Sequence, residues 1–121
     1  MKENVLKTKS FGFAVRIVSL YKYLSDDRKE FVLSKQILRS GTSVGAMVRE
    51  AEHSESKADF VHKMAIAQKE INETLYWLEL LKETEYISDK GFEGVNADAV
   101  EIIKLITSSI KTAKTKLTIN H

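Results

Sequence analysis

The stretch Gln36–Ala51, QILRSGTSVGAMVREA, decides how the rest of the chain reads. Its positions Ile37, Gly41, Val44, Val48 and Ala51 recur at spacings of 4, 3, 4 and 3, which is one face of a helix. In the middle of that face side chains shrink to hydrogen at Gly41 and Gly45, with the hydroxyls of Thr42 and Ser43 between them. A glycine inside a helix costs about 1 kcal/mol relative to alanine. Two of them four residues apart predict that another backbone comes close, so Gly41, Ser43 and Gly45 read as a close helix-packing site. Approach of the backbone to a ligand is the lesser reading of the same spacing.

Working outward, three more amphipathic segments flank this thin one. Residues 1–9 read as a polar lead-in, with Val5 and Leu6 packing down, and Ser10 as an N-cap. A helix over about 11–24 then presents Phe13, Ile17, Leu20 and Leu24 on one face, widened by Ala14, Val18 and Tyr21. Ser25-Asp26-Asp27 reads as a turn whose carboxylates suit the positive start of the second helix, over about 28–53. Ser56 with Asp59 reads as a capping box opening the third helix, over about 57–84. That helix carries Phe60, Met64, Ala67, Ile71, Leu75, Leu78 and Leu81 at helical spacing, and a second apolar strip of Ile66, Trp77 and Leu80. Ser88 caps the fourth helix, over about 89–117, with Val95, Ala99, Ile102, Ile106, Ile110, Ala113 and Leu117 inward. Gly91 and Gly94 argue that this helix becomes regular only near Val95, and Ile119–His121 is expected to fray. Four helices with short turns predict one domain, an all-α antiparallel up-down-up-down four-helix bundle.

Composition sets the limits. The 121 residues include no proline and five glycines, so long helices meet few breakers. No cysteine is present, which excludes disulfides, thiolate metal sites and a cysteine nucleophile. The start lacks an apolar run with a small-residue cleavage site, and no stretch approaches the ~20 apolar residues of a membrane span. A cytoplasmic protein without membrane contact is the expectation. Net charge is only +2, but residues 1–24 and 102–121 each sum to +4, leaving −6 between them. With the first and fourth helices adjacent, the two basic segments are expected to share one side, opposite the acidic second and third helices.

Catalytic patterns are thin. Glu50-x-x-His53 has the spacing of bundle metal sites, and Asp59-x-x-His62 is a near relative. Both pairs surround one turn, and the stripes of the first and fourth helices supply no carboxylates to complete a site. Ser40, Thr42 and Ser43 have no His/Asp pair in register. GTSVG lacks the lysine and strand context of a phosphate loop. No catalytic residue, metal or cofactor is expected. Trp77, Ile66 and Leu80 read as a subunit contact, because an aromatic outside the core stripe often anchors one; a tryptophan that simply caps the core is the other reading. Arg16, Lys22, Lys104, Lys111 and Lys114 are the cations that could track RNA or DNA phosphates. Stacking aromatics on those helices are limited to Tyr21 and Tyr23.

FAVRIVSLYKYL, followed by QILRSGTSVGAMVREAEHSESKADFVHKMAIAQKEINETLYWLELL, resembles the small bacterial four-helix-bundle family of intervening-sequence proteins encoded inside 23S ribosomal RNA genes. The chain is also similar to the accessory variability determinant of diversity-generating retroelements. Arg39, Ser43, Arg49-Glu50-Ala51, Ser56, Phe60, Ala67 and Glu73 sit where the pattern has them. Met47 stands where the family commonly has asparagine, in its GTSVGAN run. The resemblance implies a helical protomer assembled into a ring, typically a homopentamer, with no activity established for most members. In the retroelement branch it implies a basic ring that binds nucleic acid and a reverse transcriptase. The expectation is therefore a non-enzymatic homo-oligomer, with an RNA- or DNA-binding adaptor as the alternative and a carboxylate-bridged metal enzyme as a remote third.

Overall fold

In a computed structural model the chain folds into α1 (Lys2–Asp26), α2 (Leu33–Glu52), α3 (Lys57–Glu83) and α4 (Asp89–Ile119). The structure describes residues 2–119, and the side chains of 5–116. No strand occurs among the described residues. Each helix packs on its neighbour in sequence, α1 also packs on α4, and the diagonal pairs do not meet. Contacts run in opposite senses along α1/α2 and α1/α4: Gly41 meets Ile17 while Gly45 meets Ser10, and Arg16 pairs with Asp98 while Lys9 pairs with Glu101. The molecule is an all-α bundle with its core on the axis.

That core is the sum of the four stripes. Phe13, Ile17 and Leu24 meet Ile37, Val44 and Val48, Met64, Ile71 and Leu78, and Ile102 and Ile106, all buried. Burying each such side chain contributes about 1.5–3 kcal/mol. Leu20, Phe60, Leu75 and Ile110 lie only partly buried at its edge. Leu117 and the expected fraying at Asn120–His121 lie outside the described residues or side chains, and Ile119 closes α4.

The helix starts of α1, α2 and α4 differ from the sequence reading. The first helix begins at Lys2, not near Phe11. Ser10 is no cap: it is buried in mid-helix, and its hydroxyl donates to the Lys7 carbonyl (3.2 Å). The second helix begins at Leu33, not Arg28, and Asp26 is the last residue of α1. Glu30 takes the capping role expected of Asp26 and Asp27. Its carboxylate accepts the backbone N–H groups of Val32, Leu33 and Ser34 at 3.2, 3.0 and 2.7 Å. Three otherwise orphaned donors at a helix start are thereby satisfied by one side chain. Burial pushes the Glu30 carboxyl up, but these hydrogen bonds outweigh it and hold it below its ordinary value.

The other ends follow their local signals. Ser56 Oγ accepts Asp59 N–H (3.0 Å), while Asp59 accepts Glu55 N–H (3.2 Å). Ser88 Oγ accepts Gly91 N–H (3.0 Å), and α4 is regular from Asp89, ahead of Val95. Glu85 ends α3 in the left-handed region (φ 66°), with Tyr86 N–H on the Leu81 carbonyl (2.9 Å) and Glu85 N–H on that of Lys82 (3.0 Å). This is the two-bond helix stop usually made with glycine. Arg28 Nη1 donates to the Glu85 and Tyr86 carbonyls (3.1 and 2.7 Å), tying the α1–α2 loop to the α3–α4 loop.

Candidate subunit interface and charged surfaces

The two glycines of α2 face α1. A Cβ built on Gly41 would lie 2.8 Å from both Cγ atoms of Ile17, and one on Gly45 would lie 3.2 Å from the Ser10 carbonyl oxygen. Backbone therefore approaches backbone at Gly45, and a β-branched side chain fills the gap at Gly41. Ser43 lies elsewhere. It is half-buried, and its hydroxyl donates to the Arg39 carbonyl of its own helix (2.6 Å). Its helical position turns it toward α3, so it takes no part in the α1 contact. Met47 is partly buried against the core.

Along the α2/α3 seam runs a polar network that the apolar stripes do not reveal. Arg39 Nη1 donates to Glu70 (3.0 Å), and Nη2 pairs closely with Glu73. Glu73 also accepts Trp77 Nε1–H (3.0 Å). Beneath it, buried Thr74 Oγ1 donates to Ser40 Oγ (2.9 Å). The Trp77 N–H and then the Arg39 guanidinium hold the Glu73 carboxyl below its ordinary value, and Glu73 raises the Arg39 guanidinium in turn. Among the described residues every buried side-chain nitrogen and oxygen has a partner. The sole tryptophan is thus clamped in orientation at the outer edge of α3, half-buried, with Tyr76 edge-on to it (centroids 5.0 Å). Leu80, one turn on, and Ile66, about three turns back on the same helix, are both half-buried, and Tyr76 is 59% exposed.

The five candidate nucleic-acid cations do not form one patch. Arg16 folds across Gly94 onto α4, its Nη1 on Asp98 (2.7 Å) and the Gly94 carbonyl (3.4 Å). The missing Cβ of Gly94 is where its guanidinium lies. Lys9 pairs with Glu101. The α1/α4 seam is therefore partly neutralised, which the charge sums by segment cannot show. Lys22 and Lys104 are exposed and outside any ion pair. From the Arg16–Asp98 register, Lys22 and Lys111 stand roughly 28 Å apart along the axis at 1.5 Å per residue. Lys104, Lys111 and Lys114 instead run toward the end that also holds Lys7 and Lys9. The opposite end carries Asp26, Asp27, Glu83, Glu85 and Asp89, interleaved with lysines. Basic character on the α1/α4 side is therefore graded along the axis, toward an end where Lys7 is itself paired with Glu52.

Glu50, His53 and His62 are exposed, and Asp59 is occupied by the Glu55 N–H and Lys63 (3.3 Å). No group of three His, Asp or Glu side chains converges among the described residues. Two shallow grooves lie on the α1/α4 seam. One, of about 340 Å³, is lined by Thr8, Gly12, Phe13, Glu101 and Ile102; the other, of about 280 Å³, by Leu20, Tyr23, Ile87, Gly91 and Val95. Among the described residues no helix is long and apolar enough to cross a membrane.

The family described as 23S rRNA-intervening sequence protein matches residues 2–108. A crystal structure from Bacteroides thetaiotaomicron, of a protein with unknown function from the S23 ribosomal protein family, superposes with a TM-score of 0.91. It is 62% identical in sequence, over 92% of this chain and 99% of that one. No curated protein matches.

Proposed function

The chain belongs to the 23S rRNA-intervening sequence protein family, and from that premise we propose that it acts without catalysis, as a self-assembling cytoplasmic four-helix protomer. A ring, and by the resemblance a homopentamer, is the assembly we propose. The observation that carries this reading is the outer strip of α3. Trp77 packs on the core from one side yet stays half-exposed, beside exposed Tyr76 and half-exposed Leu80, with Ile66 about three turns back on the same helix. Trp77 is held in one orientation by Glu73 and, through it, by Arg39. A rigid aromatic with a partly open face binds at low entropic cost. Light scattering on a size-exclusion column should give a mass that is a multiple of 13.7 kDa, and Trp77→Glu should give smaller particles. A single-chain mass for the unmutated protein would reject the reading.

A second reading, an RNA- or DNA-binding adaptor, is favoured by one feature. Beyond Glu101 the charged residues of the fourth helix are cations only. Binding to a generic RNA or duplex DNA should then weaken steeply with salt. Lys111→Glu should lower it further, and no retention at low salt would exclude it.

A further inference from the structure

We infer that the apolar pocket beside Ser109 is a binding site for a small neutral molecule, one with a short apolar body and a single hydrogen-bonding group, as a short-chain alcohol has. The site depends on neither the assembly nor the nucleic-acid reading above. Its wall takes Leu6 from α1, Val48 and Glu52 from α2, Phe60 and Met64 from α3, and Ser109 from α4. All four helices therefore meet in it, toward the end where α2 stops and α3 starts. Leu6, Val48 and Met64 are at most 4% exposed. The space is about 40 Å³. It opens on the side of Glu52 and Phe60, the two lining residues that are not buried.

The serine sets this pocket apart from a packing fault. Five hydroxyl residues are buried: Ser10, Ser34, Ser40, Thr74 and Ser109. Ser10 donates to the Lys7 carbonyl, Ser34 to that of Glu30, and Thr74 to Ser40 Oγ. Ser109 is 8% exposed, yet among the described residues no hydrogen bond holds its hydroxyl. It does not turn back to its own helix, as Thr115 does to the Lys111 carbonyl (2.9 Å). Instead it interrupts the core stripe Ile102, Ile106, Ser109, Ala113. Side-chain oxygens sealed from water all have partners among the described residues, so this one is open to the pocket it lines. A hydroxyl left unbonded among apolar groups is unfavourable, and a ligand that pairs with it relieves that cost.

Size and chemistry select the occupant. A water occupies about 30 Å³ in the liquid and needs two to four polar partners. Here it meets one hydroxyl, because the Glu52 carboxylate is engaged by Lys7 (3.3 Å). That pairing also leaves no surplus charge in the wall to attract an ion. An alcohol oxygen pairs with Ser109 while its carbons pack on Leu6, Val48 and Met64.

Titration of the full chain with 1-propanol, followed at ¹³C-labelled methionine methyls, tests this. The Met64 methyl is expected to shift and saturate in the millimolar range, while Met47, which is not in the wall, stays in place. Ser109→Ala is expected to weaken 1-propanol about fivefold, the worth of one hydrogen bond. The same variant should bind xenon, which forms no hydrogen bond, as the parent does. Val48→Phe fills the space and should abolish both shifts. A Met64 shift that rises with 1-propanol without saturating overturns the site. Equal 1-propanol affinity in the parent and Ser109→Ala overturns the hydrogen bond and the ligand class with it.

Discussion

The α1/α2 contact and the α1/α4 seam share a helix, and both contain glycine, yet they are built in opposite ways. At α1/α2 the space left by Gly41 is filled by Ile17, which is wholly buried, and Gly45 admits the Ser10 carbonyl. At α1/α4 the space at Gly94 is taken by the flexible end of Arg16, and the space at Gly12 by nothing in the protomer. A missing side chain stabilises packing only where a rigid neighbour takes its place. Where the neighbour is a mobile cation or open solvent, the same residue leaves a groove.

Stability measurements can break this contrast, taken by urea unfolding at fixed protomer concentration, since assembly would make stability concentration-dependent. The largest effect is expected for Ile17→Ala, a loss of about 3 kcal/mol from transfer and cavity terms. Val15→Ala, two positions away on the groove side, should stay within about 0.5 kcal/mol. Equal losses at the two positions would erase the distinction.

Gly41→Ala should cost about 1–2 kcal/mol, because Ile17 branches at Cβ and cannot withdraw both Cγ atoms, despite a helix-propensity gain of about 1 kcal/mol. In an Ile17→Ala background the sign should reverse, since the added methyl then enters a cavity. A Gly41→Ala effect indifferent to residue 17 would show that the contact is slack.

Glu30→Gln should cost about 1 kcal/mol through weakened capping of α2. The Glu30 and Glu73 carboxyls both lie below their ordinary values in the folded protein. Their contribution is therefore complete above the unfolded-chain value, about 4.3, and is lost as pH falls through the lower folded values. Stability should decline on acidification from about pH 4.5 downward, and less steeply in Glu30→Gln. Parallel profiles for the two proteins would assign the decline elsewhere.

Smaller still, Gly12→Ala should stabilise the protomer by up to about 1 kcal/mol, since alanine suits a helix and meets no clash. Gly94→Ala should fall within about 0.5 kcal/mol of zero, as the helix gain offsets a displaced, half-exposed Arg16–Asp98 pair. A large loss at Gly94 would make that exposed pair a structural bolt, bringing the loose seam closer to the tight one.

The sequence alone determined whatever repeats along one helix. Ile37, Val44, Val48, Met64, Ile71, Ile102 and Ile106 were legible as core because burial at helical period leaves a periodic trace in the chain. The caps at Ser56 and Ser88 were legible because their partners lie three residues away. The glycine pair announced an approach, although not that Ile17 and Ser10 would make it. Ser10 itself was misread, because a serine ahead of an apolar run looks like a cap whether or not the helix has already begun. Glu30 was missed because a carboxylate reaching forward over a loop follows no fixed spacing.

Tertiary structure alone decided the pairing of charges and hydroxyls across helices. Arg39 joins Glu70 and Glu73, Ser40 joins Thr74, and Arg16 joins Asp98, at separations of 31, 34, 34 and 82 residues. Such contacts depend on the relative rotation and axial register of two helices, which no local pattern encodes. For that reason the basic segments, adjacent as expected, became an axial gradient with a partly neutralised seam.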